Sequence, residues 1–478
     1  MYAPKPEVAR FLDEFESSLD AGRVPLRTFN DAELHQLELD RIFTRAWVFI
    51  GHESEIPARG DYAQRRIGRD PFVFARGEDG EIRVLFDACR HRGVTVCRAE
   101  RGNAALFRCP YHGWTYKNTG ALVGAPFLKD AYGKGLDKEN MGLLAAPHVQ
   151  SLHGFVFASL DPEAPTLDEY LGNLRWHLDM LWGQVEGGWE VVGEPQRTVI
   201  QADWKSAAEN ISGDDYHTMY LHRSTIETGI MPSPDGADAD ASDWLAGYHV
   251  NLGNGHNVAP VVVPPDTPAP GFFGYPDEVS RLFSADLQGS EHYEFAKRCL
   301  GLVGVMFPNL GFISFPFQFL REVDPQPIMG LKVFEPSGPG EMVSWAWTLC
   351  PKEASEEFRH NTYLTAMGTF TAGGTFEQDD SDPWISIARS AGSAFSRKMG
   401  MELNYTMGLK DAASSKFVDH YPGPGLAHFP SLEEGALRGF HRRWLDFMRA
   451  ESFPAEMTPE RQHFGASANR SKKGDRRG

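Results

Sequence analysis

The thirty residues from Asp87 to Tyr116, DACRHRGVTVCRAERGNAALFRCPYHGWTY, hold three of the chain's five cysteines and two histidines. Cys89-x-His91 is followed by Cys109-x-x-His112. If these four side chains share a metal, their loops must meet, and the strands between them must be short. Two cysteines and two histidines can hold a structural zinc. They can also hold a [2Fe–2S] cluster in which two thiolates bind one iron and two imidazoles the other. The Cys-x-His spacing is tighter than the cysteine knuckle of a zinc finger. The two pairs are also alike, each giving one Cys and one His from a tight turn, as a binuclear cluster requires. The reading is therefore iron–sulfur. Cys97 is then a buried thiol beside the cluster, and Trp114 either a shield against water or a plain core residue. Imidazole ligation raises the potential, so the centre takes electrons from a low-potential donor.

A domain for such a cluster needs little more than a hundred residues, and this chain has 478, enough for at least two cores. A net charge of −18 argues against nucleic-acid or anionic-membrane binding, which needs basic surface. The N-terminus has no charged-then-apolar signal pattern. The uncharged run 301–320 is broken by Pro308, Asn309, Pro316 and Gln318, so it reads as two buried strands and a turn rather than a membrane helix. Cys299 and Cys350 stand isolated in apolar surroundings. No disulfide framework follows, and a cytoplasmic location is expected.

Apolar spacing predicts helices over 5–50 and short strands over 51–160. Beyond lie a helix over 167–183, a strand pair over 190–204, and helices over 203–223 and 353–372. A hairpin turns at Ser337-Gly338-Pro339-Gly340. Segment 232–276 reads as a long loop, either a lid or a surface insertion. The basic tail reads as disordered.

A cluster that delivers electrons needs an acceptor. In DWKSAAENISGDDYHTMYLHRS, Asp203 to Ser224, Asp214 and His217 are three apart and share a helical face. His217 and His222 are five apart, so the helix must end or bulge between them if both are to reach one ion. Two imidazoles and a carboxylate form the facial triad of non-haem Fe(II) oxygenases. GTFEQDDSDPW offers Glu377, Asp379, Asp380 and Asp382 after a helix, and spacing does not choose among them.

Taken together, CRHRG, CPYHGWTY, DWKSAAEN, GDDYHTMYLH and EQDD resemble, in this order and over nearly the whole chain, the large (alpha) subunit of Rieske non-haem iron aromatic-ring-hydroxylating dioxygenases of the naphthalene, biphenyl and toluene type. The resemblance implies an α+β fold. An all-β Rieske domain (44–161) would be inserted near the start of a helix-grip (Bet v1-like, START-like) antiparallel-sheet catalytic domain (162–455). A helical segment (1–43) would pack on the catalytic domain, and 456–478 would be a disordered tail. Cys89, His91, Cys109 and His112 would hold the [2Fe–2S] cluster, and His217, His222 and Asp380 a mononuclear Fe(II). Asp214 matches the family's bridging carboxylate, and Asn210 a residue close to the iron. Asp203 and Ile211 depart from many relatives, which carry Asn or another residue and a larger Phe.

The implied activity is that of a terminal oxygenase adding both atoms of O₂ to an aromatic substrate to give a cis-dihydrodiol. Electrons would come from NADH through a reductase and ferredoxin. No Gly-x-Gly-x-x-Gly follows a strand, so no NADH site is expected in this chain. The expected assembly is a trimer, alone or with a small β subunit, in which Asp214 bridges His217 to His112 of the partner subunit. Six arginines, at 83, 90, 92, 98, 101 and 108, form a basic island suited to an acidic ferredoxin. Pocket candidates are Ile211, Thr218, Met219, Phe370 and Phe376, which favour an aromatic hydrocarbon, including fused rings. For an aromatic carboxylate, Arg223 and Arg321 are the candidate cations. Competing readings are a Rieske monooxygenase or demethylase, a salicylate- or phthalate-like dioxygenase, and a pure electron carrier.

Overall fold

The computed structural model describes residues 4–211, 213–231, 247–263, 271–283, 289–409 and 416–459. Pro6–Asp20 is a helix whose Pro sits at its first position, where no amide is needed. Its apolar residues Val8, Phe11, Leu12, Phe15 and Leu19 are buried. They meet the C-terminal helix Gly435–Arg449, where Phe15 lies 5.6 Å from Trp444, so the two ends of the chain close one core. A second helix, Ala32–Glu38, is capped by the Asp31 carboxylate and runs on in a wider turn through Leu39–Phe43.

The helical reading of residues up to 50 fails beyond that point. Val48–His52 is a fully buried strand paired with Phe155–Ser159. A short apolar run such as WVFIGH suits either state, and its distant partner decides. The strands expected over 51–160 are present. Asp61–Ile67, Asp70–Arg76, Ile82–Phe86 and Arg101–Asn103 form one sheet, and Leu106–Arg108, Thr115–Lys117 and Leu122–Gly124 another. Val73, Leu85, Val96, Phe107, Trp114 and Tyr116 give this region its own core.

The rest is built on a ten-stranded sheet. The run 301–320 is indeed two strands, Cys299–Met306 and Leu310–Phe317, and Gln326–Gly338 pairs with Glu341–Pro351 as the expected hairpin. Trp189–Val191 and Gln196–Ile200 do not pair with each other as expected, because both pair with Glu341–Pro351. The helix over 167–183 is two, Leu167–Leu171 and Leu174–Trp182, broken where Gly172 takes φ +49°. The long-loop reading of 232–276 is corrected by His249–Gly253 and His256–Val262, two strands of the large sheet. Its remainder lies largely outside the described residues, as does the tail beyond 459. Before that point the chain is tied down, with the Asn254 amide donating to the Met457 carbonyl at 2.8 Å.

Trp204–Ile211, Glu356–Thr369 and Thr375–Ala391 pack on the central strands or on one another. The architecture is the α+β arrangement expected, a small all-β domain joined to a sheet-and-helix domain. The two share a core, with Phe49 set edge-on to Trp347 at 5.3 Å. Among the described residues no helix is long and apolar enough to cross a membrane.

Candidate metal centres and an apolar cavity

Cys89 and Cys109 head two loops of one design. In each, the Cys amide donates to the carbonyl five residues on, Val94 at 2.9 Å and Trp114 at 2.8 Å. The glycine four residues on donates back to the Cys carbonyl, Gly93 at 2.7 Å and Gly113 at 3.0 Å. Both glycines take φ +72°, a backbone that a side chain disfavours. The loops bring the rings of His91 and His112 to 4.6 Å. Trp114, 3% exposed, stacks on His91 at 5.1 Å with 5° between planes. Tyr116 Oη lies 3.2 Å from Cys89 Sγ. His91 Nδ1 is buried without a hydrogen-bond partner. Cys97 is buried among the same residues, and burial pushes its thiol up to about 11.

Three of the six basic-island arginines are engaged. Arg83 pairs with Asp79, Arg101 with Glu194, and Arg90 donates to the Gly142 carbonyl. Arg92, Arg98 and Arg108 are exposed.

At the second site the helix ends where it has to. Asp214 caps Asp215–Leu221, accepting from the His217 amide at 3.3 Å, and His222 stands at the junction with Arg223–Glu227. His217 and His222 thereby face each other at 5.1 Å between ring centroids. The four acids follow the helix Glu356–Thr369, as expected, and lie in the first turns of the next, Thr375–Ala391. Their helical spacing separates their roles. Asp380 Oδ1 lies 3.1 Å from His222 Nε2 and 3.6 Å from His217 Nε2. Asp379 Oδ2 meets His222 Nδ1 at 3.2 Å, Glu377 turns to Lys332, and Asp382 is exposed. Asp379, one of the four candidate acids, backs a histidine instead of joining the set, because an acid one position before a ligand lies about 100° around the helix.

His217 Nδ1 contacts the Asp214 backbone carbonyl, and the Asp214 carboxylate stands 3.6 Å away, with a third of its side chain exposed. Asn210 Nδ2 is 3.4 Å from His217 Nε2. Among the described residues, His217, His222 and Asp380 are the one set of three whose ligand atoms lie within 4.8 Å of one another. Asp380 Oδ1 is buried with no hydrogen bond. With both Nδ1 atoms engaged, the two Nε2 atoms and Asp380 Oδ1 face a common point, which suits a cation. Titration agrees. Burial opposes charge on His217, but Asp214 and Asp380 outweigh it and raise its pKa to about 9. Burial likewise opposes the Asp380 carboxylate, and His222 and His217 hold it below the ordinary value. The Cys89, His91, Cys109 and His112 donors form no such single-point set, as a lone tetrahedral zinc would need.

The three groups sit at the wall of a cavity of about 140 Å³. Ile211, Thr218, Met219, Phe370 and Phe376 all line it. Phe370 and Phe376 stack with centroids 4.7 Å apart. Neither candidate cation reaches it. Arg223 is exposed and pairs with Glu227 at 2.7 Å, and Arg321 lines a separate surface groove. The cavity's cation is Lys332, and burial pushes its ammonium down to about 8 against the charge of Asp380.

Residues 46–141 match the Rieske [2Fe-2S] domain family, and residues 167–450 match the ring hydroxylating alpha subunit (catalytic domain) family. The chain is 36% identical to the N,N-dimethyl phenylurea N-demethylase subunit alpha of Sphingobium sp. (strain YBL2), over 92% of this chain and 94% of that one. It is 32% identical to the biphenyl 2,3-dioxygenase subunit alpha of Rhodococcus jostii (strain RHA1), over 94% and 93%. A crystal structure of naphthalene 1,2-dioxygenase from Rhodococcus sp. bound to indole superposes with a TM-score of 0.87 at 40% identity, covering 94% of this chain and all of that one.

Proposed function

Because this chain belongs to the alpha subunits of Rieske-type ring-hydroxylating oxygenases, we propose that it is the terminal oxygenase of an aromatic-ring dioxygenase. The observation that carries this is the convergence of His217, His222 and Asp380 on the wall of an apolar, phenylalanine-lined cavity. Cys89 and Cys109 would hold one iron of the cluster, His91 and His112 the other, and His217, His222 and Asp380 the mononuclear iron. When bound, the cluster would supply electrons one at a time and the mononuclear iron would provide the site of O₂ reduction.

The protein's own part is positioning. Phe370 and Phe376 hold an aromatic ring by stacking and keep water away. The volume resembles the roughly 150 Å³ engineered cavity that takes benzene, so the fit is to one ring with a small substituent. Asp379 fixes the His222 ring and Asp214 the His217 ring. The exposed side of Asp214 would accept from His112 of the partner subunit in a trimer of alpha chains, with or without β subunits. Arg92, Arg98 and Arg108 present positive charge near the cluster loops to an acidic ferredoxin, itself reduced from NADH by a reductase.

The purified chain should carry three irons. With redox partners, NADH, ¹⁸O₂ and a monocyclic arene, it should give a cis-dihydrodiol with two labelled oxygens. A second reading is N-demethylation, favoured by the Sphingobium relative at 36% identity; it predicts formaldehyde and an unlabelled ring from an N-methyl substrate. Asp214→Ala should leave both centres largely loaded yet slow cluster reoxidation by about ten- to a hundredfold. Stopped-flow spectroscopy with substrate and O₂ measures this, and a wild-type rate would remove the bridge.

A further inference from the structure

The cavity holds one feature that ring stacking does not use. Lys332 lies on the strand Gln326–Gly338, 4% exposed, and lines the cavity. Its cross-strand neighbours are Gly311 and Ala346, so no bulky side chain stands beside it in the sheet. Nζ contacts the Glu377 carboxylate, itself 3% exposed and held from behind by Ser344 Oγ at 3.2 Å. Nζ also lies 5.5 Å above the Phe370 ring. Among the described residues Glu377 is the hydrogen-bond partner of Lys332, while an ammonium carries three N–H donors. A donor is therefore left facing a cavity whose other walls are largely apolar. Packing does not explain it, since a buried ion pair is no more stabilising than apolar residues of the same volume.

We propose that Lys332 is the polar anchor of the substrate cavity, donating a hydrogen bond to an uncharged acceptor oxygen, a carbonyl or amide, on the substituent of an aromatic substrate. Glu377 is a positioning residue, holding the ammonium over Phe370. Because Glu377 already matches its charge, Lys332 offers a directed hydrogen bond rather than a free positive charge, and a carboxylate gains little from it. The contact fixes which edge of the ring faces His217, His222 and Asp380. It also discriminates against hydrocarbons of equal shape, since these leave a buried donor unpaired. The inference rests on the oxygenase reading only in taking the cavity to hold the substrate.

The test is calorimetric binding to the anaerobic holoenzyme of acetophenone, of α-methylstyrene, which replaces C=O by C=CH₂, and of benzoate. Acetophenone should bind roughly ten- to a hundredfold more tightly than α-methylstyrene, and benzoate no more tightly than α-methylstyrene. In Lys332→Met/Glu377→Met the preference should fall to within about threefold. The carbonyl stretch of bound acetophenone should lie lower in the wild type than in the variant. The proposal is overturned by equal binding of the isosteres to wild type, by a preference that survives in the variant, or by benzoate binding tightest. The wild-type comparison needs no variant, so a misfolded variant does not rescue the idea. Failure of the oxygenase reading looks different: no aromatic would stimulate O₂ uptake, whatever the binding preference.

Discussion

Among the described residues two lysines are buried with carboxylates, and their surroundings differ. Lys205 is fully buried and meets Glu38 Oε1 at 2.6 Å and Asp203 Oδ1 at 2.7 Å. Its Nζ lies 5.0 Å above Trp204 and 5.8 Å above Trp444. Both indole N–H groups donate to Glu38, at 3.0 and 2.8 Å. This set joins Ala32–Glu38, Trp204–Ile211 and Gly435–Arg449 into a closed frame. Lys332 has one carboxylate, Glu377, and the cavity. Burial opposes the charge on Lys205, yet Asp203 and Glu38 outweigh it and raise its pKa. Burial lowers that of Lys332. A buried cation held between two carboxylates in a closed frame is framework, whereas one with a single carboxylate at a cavity wall is available to a ligand.

The sharpest way to break this contrast is to remove each ammonium. Lys205→Met leaves two carboxylates buried and unpaired and should cost roughly 3–5 kcal/mol of stability. Denaturant unfolding of the purified variant measures it. Lys332→Met leaves only Glu377 unpaired, still bonded to Ser344 Oγ. Its cost should be nearer about 1–3 kcal/mol, with the larger change in ligand choice. Equal losses would mean that Lys332 is framework too.

The same contrast marks what the sequence could disclose. Each cluster loop pairs its Cys with a His two or three residues on, so turn geometry alone brings the donors together, and the site was legible. For His217 and His222 the five-residue spacing required a break, and the helix ends there. The choice of Asp380 over Asp379 needed the helix Thr375–Ala391 to be seen against the histidines, because spacing cannot give its rotation. Lys332 was hidden for a different reason. Its strand is buried on both faces, so IMGLKVF shows no alternation to say which side the lysine takes. Arg223 and Arg321, the cations the sequence offers for a carboxylate, lie outside the cavity. Val48–His52 was missed because its partner strand lies about a hundred residues away in sequence.

The smallest expected effect is the most discriminating, and it concerns Asp203. Its triad has two carboxylates for one ammonium, a net negative charge with His35 nearby; burial lowers the pKa of His35 to about 4, so it stays neutral at pH 7. Burial, helped by Glu38, raises the pKa of Asp203 in spite of Lys205. A carboxyl whose folded pKa is raised binds its proton more tightly when folded. Its contribution to stability therefore falls as pH rises from the ordinary aspartate value through the folded one. Asp203→Asn keeps the acceptor that the Lys205 amide uses at 3.0 Å and leaves Glu38 to match the ammonium. The variant should change stability at pH 7 by no more than about 1 kcal/mol, with either no loss or a gain. Relative to wild type it should gain as pH rises above the ordinary aspartate value. Unfolding midpoints measured from that value up to pH 7 decide the matter. A loss at pH 7 as large as that of Lys205→Met would mean that both carboxylates are needed to hold the cation, and that the frame is a true three-member network rather than an ion pair with a tolerated extra charge.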